Sequence, residues 1–251
     1  MKKSEIILEG IVSVECAIRA KHRAAIKVFI DKAKHHKRDR KILHFISFLK
    51  DEKTEYTLCD REYIDSICEG GTHGGVAAVV SERSYCDFKV LINSLSEGEY
   101  AVFLDGVEDP FNFGYSIRNL FAFGCRGFII PERNWMSASG LVAKSSAGAS
   151  ELCEMAIAPQ NDLDTVDILK QYGVSIVCSA LSPTSIPLYS FKPKKPFVLF
   201  IGGEKRGISK DIFENTDLTV HIPYDNEKAR YSLPTASCAA IFGSHLSSLN
   251  N

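Results

Sequence analysis

Apolar residues recur along this chain in two rhythms, and the change falls near residue 100. In the first stretch, short apolar runs alternate with one-sided ones. Ile6–Leu8 is a brief apolar segment, followed by Gly10 and a helix-compatible stretch through Ala20, and Ala25–Ile30 reads as a strand. Within residues 41–50, Ile42, Phe45, Ile46 and Leu49 fall at i, i+3, i+4 and i+7, the stripe of a helix with one buried face. Asp60 is placed to cap a second helix carrying Tyr63, Ile64 and Ile67. The glycine-rich loop 70–75 then leads into an apolar strand at 76–80. These elements predict a small α/β module.

From Tyr100 onward the apolar runs are unbroken. Segments 101–104, 127–130, 174–178, 197–201 and 218–222 read as buried strands, and 115–123, 139–143, 162–172 and 237–249 as helices between or after them. Strands apolar on both faces, alternating with helices, predict a parallel sheet covered on both sides. The more polar stretch after residue 80 supplies the division: a first domain over 1–83, a linker over 84–97, and a second domain over 98–251.

With 45% hydrophobic and 24% charged residues, the 251-residue chain can bury a core and is not disordered. No apolar run is long enough to span a bilayer. Glu5, Glu9 and Glu15 interrupt the start where a signal peptide would be continuously apolar. A cytoplasmic protein with no membrane partner is expected. The eight cysteines are scattered singly with no C-x-x-C pair, which predicts reduced, packed thiols and no metal site. The net charge of −1 conceals an excess of base at one end: residues 1–50 hold 13 Lys or Arg against 5 Asp or Glu. Lys37, Arg38, Arg40 and Lys41, in the densest part, are candidates for phosphate contacts, although such a run also fits a solvated helix start or loop.

Three segments carry candidate chemistry. In the first, residues 103–131, a strand runs into an Asn-x-Gly bend at Asn112 and Gly114 and then a helix bearing Arg118 off its apolar stripe. On these residues alone, Arg118 reads first as a surface arginine paired with Glu108 or Asp109. In the second, a strand ends in Gly202-Gly203-Glu204, with Gly207 after it. That G-x-E-x-x-G pattern is not a dinucleotide fingerprint, and the carboxylate opposes phosphate there. In the third, Ser232-Leu233-Pro234 leads into a helix rich in small residues, which permits close backbone approach.

Together these segments resemble the SpoU/TrmH branch of the SPOUT RNA methyltransferases. Asn112 and Arg118 match that family's N-x-x-x-x-x-R motif. Gly202, Glu204, Gly207, Ile208 and Ser209 match its second motif, Ile222-Pro223 its I-P, and residues 144–157 its Ser-Ala-Gly-Ala stretch. Glu9-Gly10 and His73 to Ala77 resemble the accessory RNA-binding domain, related in fold to ribosomal-protein L30e.

The resemblance implies a SPOUT-type α/β parallel sheet with a C-terminal trefoil knot, preceded by a small L30e-like α/β domain. It implies methyl transfer from S-adenosylmethionine to a ribose 2′-hydroxyl of structured RNA, rRNA ahead of tRNA, by a homodimer. Arg118, Asn112, Glu204 and Ser232 take the catalytic places, and Gly202, Gly203, Gly207, Ile222 and Leu233 the cofactor places. His73 joins the basic cluster as an RNA contact, against the alternative of a loop histidine bonded to backbone. Two positions depart from the family: Gly74 stands where it often has Gln, and Pro234 where an asparagine amide belongs, without a side-chain donor or an N–H. The alternatives are a non-catalytic RNA-binding or ribosome-assembly protein with the same fold and, third, a dinucleotide-dependent enzyme.

Overall fold

A computed structural model describes residues 6–131, 139–225 and 232–249. The chain divides into two compact units, residues 1–84 with 137–152, and residues 85–136 with 153–251.

In the first unit, β1 (Ile6–Glu9), β2 (Ala25–Asp31), β3 (Tyr56–Cys59) and β4 (Val76–Val80) form a sheet in the order β1-β4-β2-β3. β4 runs antiparallel to β1 and β2, whereas β2 and β3 are parallel. Helices α1 (Ile11–Ala20) and α3 (Arg40–Asp51) close a core with this sheet, in which Val14, Ile42, Phe45 and Leu49 meet Leu8, Val28 and Ile30. The stripe read in residues 41–50 is therefore the buried face of α3. Ile64 of α4 (Arg61–Ile67) packs with Phe29 and Ala77 in a smaller cluster.

The basic run resolves into α2 (Lys32–His36) and the start of α3. Two aspartates organise it. Asp31 accepts from the Ala33 N–H at 2.8 Å and Asp39 from the Lys41 N–H at 2.9 Å, so each caps a helix whose first N–H groups lack partners. Between them Arg38 takes the left-handed conformation, φ 54°.

Residues 139–152 belong to this unit, which differs from the uninterrupted second domain expected over 98–251. They form α7 (Ser139–Ser145) and α8 (Ala149–Leu152). Glu151 accepts from Arg23 Nε at 2.8 Å with both side chains buried, Arg83 donates to the Ser150 carbonyl at 2.7 Å, and Lys144 reaches Glu9 at 2.7 Å. Charges buried this way are tolerated only in company, because an unpaired one costs several kcal/mol. Hydrophobic periodicity carries no trace of such pairing.

The second unit is a seven-stranded, all-parallel sheet: β5 (Tyr100–Asp105), β6 (Gly127–Ile130), β7 (Glu154–Ile157), β8 (Ser175–Ser179), β9 (Ile186–Pro187), β10 (Phe197–Gly202) and β11 (Leu218–His221). Their order is β7-β6-β5-β10-β8-β11-β9. The chain steps outward through β6 and β7, then crosses over, and β10 enters between β5 and β8. The crevice where neighbouring strands lead their connections apart is where open α/β sheets place ligands. β5 and β10 lie in register from Phe197↔Tyr100 to Gly202↔Asp105, and the Phe103 and Phe200 rings stack at 4.8 Å. Helices α5 (Phe88–Asn93), α9 (Asp162–Gln171) and α10 (Lys210–Glu214) supply Leu91, Val166, Leu169 and Ile212 to the core that contains Phe103 and Phe200. α6 (Pro110–Ala122) packs on α11 (Thr235–Ser248), which also meets β10.

One local expectation is corrected. The helix after β5 begins at Pro110 rather than Tyr115, so Asn112 and Gly114 lie inside α6 and not in a bend. Asp109 accepts from the Asn112 N–H at 2.7 Å and Pro110 occupies the first turn. Asp-Pro here is a helix start, for which proline's fixed φ and missing N–H are suited.

Candidate functional site

The site grows from the ends of β5 and β10. The Gly203 N–H donates to the Asp105 carbonyl at 2.6 Å, and the Asp105 carboxylate accepts from the Ser209 N–H at 2.7 Å. The Gly207 N–H closes the intervening turn onto the Gly203 carbonyl at 2.9 Å. Two glycines are required by space. A Cβ on Gly203 would overlap the Gly106 carbonyl, and one on Gly202 would sit 2.5 Å from the Gly207 carbonyl carbon. Bare backbone is thereby brought to the sheet edge where side chains would have blocked it.

Two hydrogen bonds tie distant segments to this turn, and a third ties those segments to each other. Asn112 Nδ2 donates to Glu204 Oε1 at 3.1 Å, Asn119 Nδ2 to the Ala236 carbonyl at 3.0 Å, and Thr235 Oγ1 to the Gly202 carbonyl at 3.4 Å. The helix bearing Arg118, the glycine turn and the start of α11 thus meet in one place.

They enclose a cavity of about 390 Å³ walled by Gly202, Gly203, Gly207, Leu233, Glu204 and Ser232, with Ile201 and Phe213 supplying apolar surface. Among the described residues its lining has no Lys or Arg, and its one acidic group is Glu204. Cys238 also lines it. Burial raises the pKa of its thiol and the Glu204 charge pushes the same way, so the thiol stays protonated at neutral pH. It donates weakly to the Leu233 carbonyl at 3.6 Å and is not a poised nucleophile.

Six residues singled out from the sequence therefore share one cavity. Ile222, expected with them, follows β11 and is not in its lining. Arg118 is exposed on α6 and has no hydrogen bond or ion pair among the described residues. The alternative pairing is absent, because Glu108 faces Lys205 at 3.7 Å and Arg206 at 3.5 Å while Asp109 caps α6. Pro234 is the exposed N-cap of α11 and makes no side-chain cap bond.

In the first unit, Lys37, Arg38, Arg40 and Lys41 are all exposed and without ion pairs among the described residues. His73 as an RNA contact is corrected by its surroundings: the ring is 0% exposed, Nε2 lies 2.6 Å from Asp65 and Nδ1 accepts from the Gly75 N–H at 3.1 Å. A ring with both nitrogens occupied and no surface shapes the 70–75 loop instead. Sequence reasoning passed over Asp105 and Asn119. Only Asp105 carried a signal, as a carboxylate at the end of an otherwise apolar strand. No group of three His, Cys, Asp or Glu side chains among the described residues could hold a metal ion.

An all-parallel sheet with a glycine-walled cavity at its strand ends defines an α/β enzyme that takes a small organic ligand. The chain belongs to the SpoU rRNA methylase family, whose model matches residues 99–243. A second model, RNA 2′-O ribose methyltransferase substrate binding, matches residues 7–86. Over 242 residues the chain is 29% identical to the 23S rRNA (guanosine-2′-O-)-methyltransferase RlmB of Yersinia pestis, covering 95% of this chain and 96% of that protein. A crystal structure of an RNA 2′-O ribose methyltransferase superposes with TM-score 0.79 at 16% identity, covering 98% of this chain and 89% of the other. The SpoU methyltransferase AviRb from Streptomyces viridochromogenes, in complex with AdoMet, gives TM-score 0.75 at 20% identity over 98% and 90%.

Proposed function

We propose that this protein is an S-adenosylmethionine-dependent RNA methyltransferase that modifies a ribose 2′-hydroxyl, acting on rRNA in preference to tRNA. The observation that carries the reading is the convergence of Glu204, Gly202 and Thr235 on one cavity, with Asn112 bonded to Glu204 from a helix whose single guanidinium, Arg118, is unengaged among the described residues. The residues fit the cofactor: a Cβ would fill the cradle at Gly202 and Gly203, apolar surface suits an adenosine, and Glu204 suits a cationic sulfonium. When bound, S-adenosylmethionine supplies a methyl group already activated for transfer.

The backbone of Gly202, Gly203 and Leu233 would hold the cofactor, with no side chain of the two glycines in its way. Asn112 fixes the Glu204 carboxylate, which keeps the glycine turn in place against α6. Arg118 presents a guanidinium, a group with donors and no acceptor. It donates to the 2′-oxygen and stabilises the negative charge that develops there as the hydroxyl proton departs to water. Ser232, exposed at the cavity mouth, contacts the RNA or the cofactor. Lys37, Arg38, Arg40 and Lys41 hold RNA phosphates. The trefoil knot and a homodimer, the latter supported by exposed Phe111 and Tyr115 on α6, belong to the same reading.

Single-turnover transfer of labelled methyl to rRNA tests this. Arg118→Ala is expected to slow transfer by roughly a hundredfold or more, the loss seen when one donor to a developing oxyanion is removed. Its affinity for S-adenosylmethionine by titration calorimetry should not change. Undiminished transfer by the variant would remove Arg118 from the chemistry. Pro234, which lacks any donor, favours a second reading: an RNA-binding protein of this fold without turnover. That reading predicts cofactor and RNA binding but no methyl transfer by the unmodified protein. Saturable binding of NAD in place of S-adenosylmethionine would instead support the dinucleotide enzyme.

A further inference from the structure

A second cavity, of about 590 Å³, lies at the carboxyl ends of β5, β6 and β7. Its size is that of a small-molecule site. It shares Gly207 with the first cavity, so the glycine turn forms a wall of both. Apolar surface comes from Phe103, Ala158, Pro131 and Pro159. The polar lining is rich in acceptors. Asp105 is buried and bonded to the Ser209 N–H, while Asp162, the first residue of α9, and Gln160, two positions before it, have no hydrogen bond or ion pair among the described residues. The Ser209 hydroxyl is buried and also lacks a partner there. Arg206, on the lining, is drawn towards Glu108 at 3.5 Å.

Two carboxylates repel a phosphate or carboxylate ligand and favour one that presents N–H donors. Flat apolar groups such as two proline rings suit the faces of an aromatic heterocycle. Among RNA bases, guanine alone has two adjacent donors, N1–H and the N2 amino group, which a carboxylate accepts together. Adenine presents an unprotonated N1 at that place and is repelled. Cytosine and uracil each offer one donor next to acceptors.

We infer that this cavity receives the guanine of the nucleotide whose ribose is methylated, with Asp162 and Gln160 reading its Watson–Crick edge; the inference rests on the ribose-methylation reading above. Asp162 sits in the first turn of α9, where the helix end favours its negative charge.

Two measurements on the full chain test it. In the first, guanosine 5′-monophosphate and adenosine 5′-monophosphate are titrated by saturation-transfer NMR in the presence of S-adenosylmethionine. The guanine nucleotide is expected to bind tighter by roughly tenfold, the worth of a good bidentate contact. Asp162→Asn should erase that preference, Asp162→Glu should retain part of it, and Gln160→Leu should weaken it. In the second, rRNA from cells lacking the protein is methylated and its nucleosides are resolved by mass spectrometry. The wild type should yield 2′-O-methylguanosine, and Asp162→Asn should slow transfer by about tenfold at unchanged cofactor affinity and thermal stability. Equal binding of the two nucleotides, a product on another base, or Asp162→Asn with wild-type rate and selectivity overturns the assignment. Asp162-dependent guanine binding without any methyl transfer would leave the cavity assigned and refute the methyltransferase reading.

Discussion

Replacing Gly203 by alanine tests the architecture of the active-site turn. The new methyl group would overlap the Gly106 carbonyl, a backbone group that cannot swing aside as a side chain can. Either the 203–207 turn or the 105–107 segment must move. Two hydrogen bonds depend on their approach, Gly203 N–H to the Asp105 carbonyl and Ser209 N–H to the Asp105 carboxylate. A neutral bond contributes about 1 kcal/mol and one to a charged group about 1.5–3 kcal/mol, so their loss amounts to roughly 2.5–4 kcal/mol. For a chain of this size each kcal/mol lowers the melting temperature by about 2–4 °C, which gives a fall of roughly 5–15 °C. Calorimetric melting measures the fall, and titration with S-adenosylmethionine should show weakened binding, since Gly203 walls the cavity. Gly71→Ala is the control, because a Cβ there meets nothing within 4 Å. A Gly203→Ala protein that melts with the wild type and binds the cofactor equally well would refute the steric argument.

Further outcomes follow from the first unit. Glu151→Ala leaves the Arg23 guanidinium buried without its carboxylate and should destabilise that unit by about 3–5 kcal/mol in urea unfolding; a neutral effect would show that water reaches the site. Burial alone would raise the Glu9 pKa, but the Lys144 ammonium and the Gly70 and Glu69 N–H groups outweigh it and hold the carboxyl below its ordinary 4.5. A depressed carboxyl adds stability above its unfolded pKa and loses it as pH falls through the folded one. Stability should therefore drop below about pH 4.5 in the wild type, and Glu9→Gln should flatten that limb of the pH–stability curve. Replacing Lys37, Arg38, Arg40 and Lys41 together by glutamine should weaken RNA binding and reduce the slope of log affinity against log salt by about 3; an unchanged slope would return the cluster to plain solvated surface.

What was legible in the sequence was whatever depends on neighbours along the chain. The i, i+3, i+4, i+7 stripe of α3 marks its buried face because helical pitch alone places those residues together. The unbroken apolar runs of β5 and β10 announced a sheet covered on both sides, and G-x-E-x-x-G marked a turn that needs bare backbone. Local reading failed where it missed a cap, placing a bend at Asn112 and Gly114 inside the helix that Asp109-Pro110 opens. It was silent on short strands such as β7, which four residues of weak pattern cannot declare.

Sequence by itself determined the α/β class, the family motifs and six of the residues that line the cavity, because sterics and periodicity act between close neighbours. Tertiary structure alone decided that Asn112 grips Glu204 across 92 positions, that His73 is sealed from solvent, and that residues 139–152 join the first unit through Glu151 and Arg23. Those outcomes depend on which desolvated polar groups find partners when remote segments close together. That is a property of the packed chain, and no single stretch of it contains the answer.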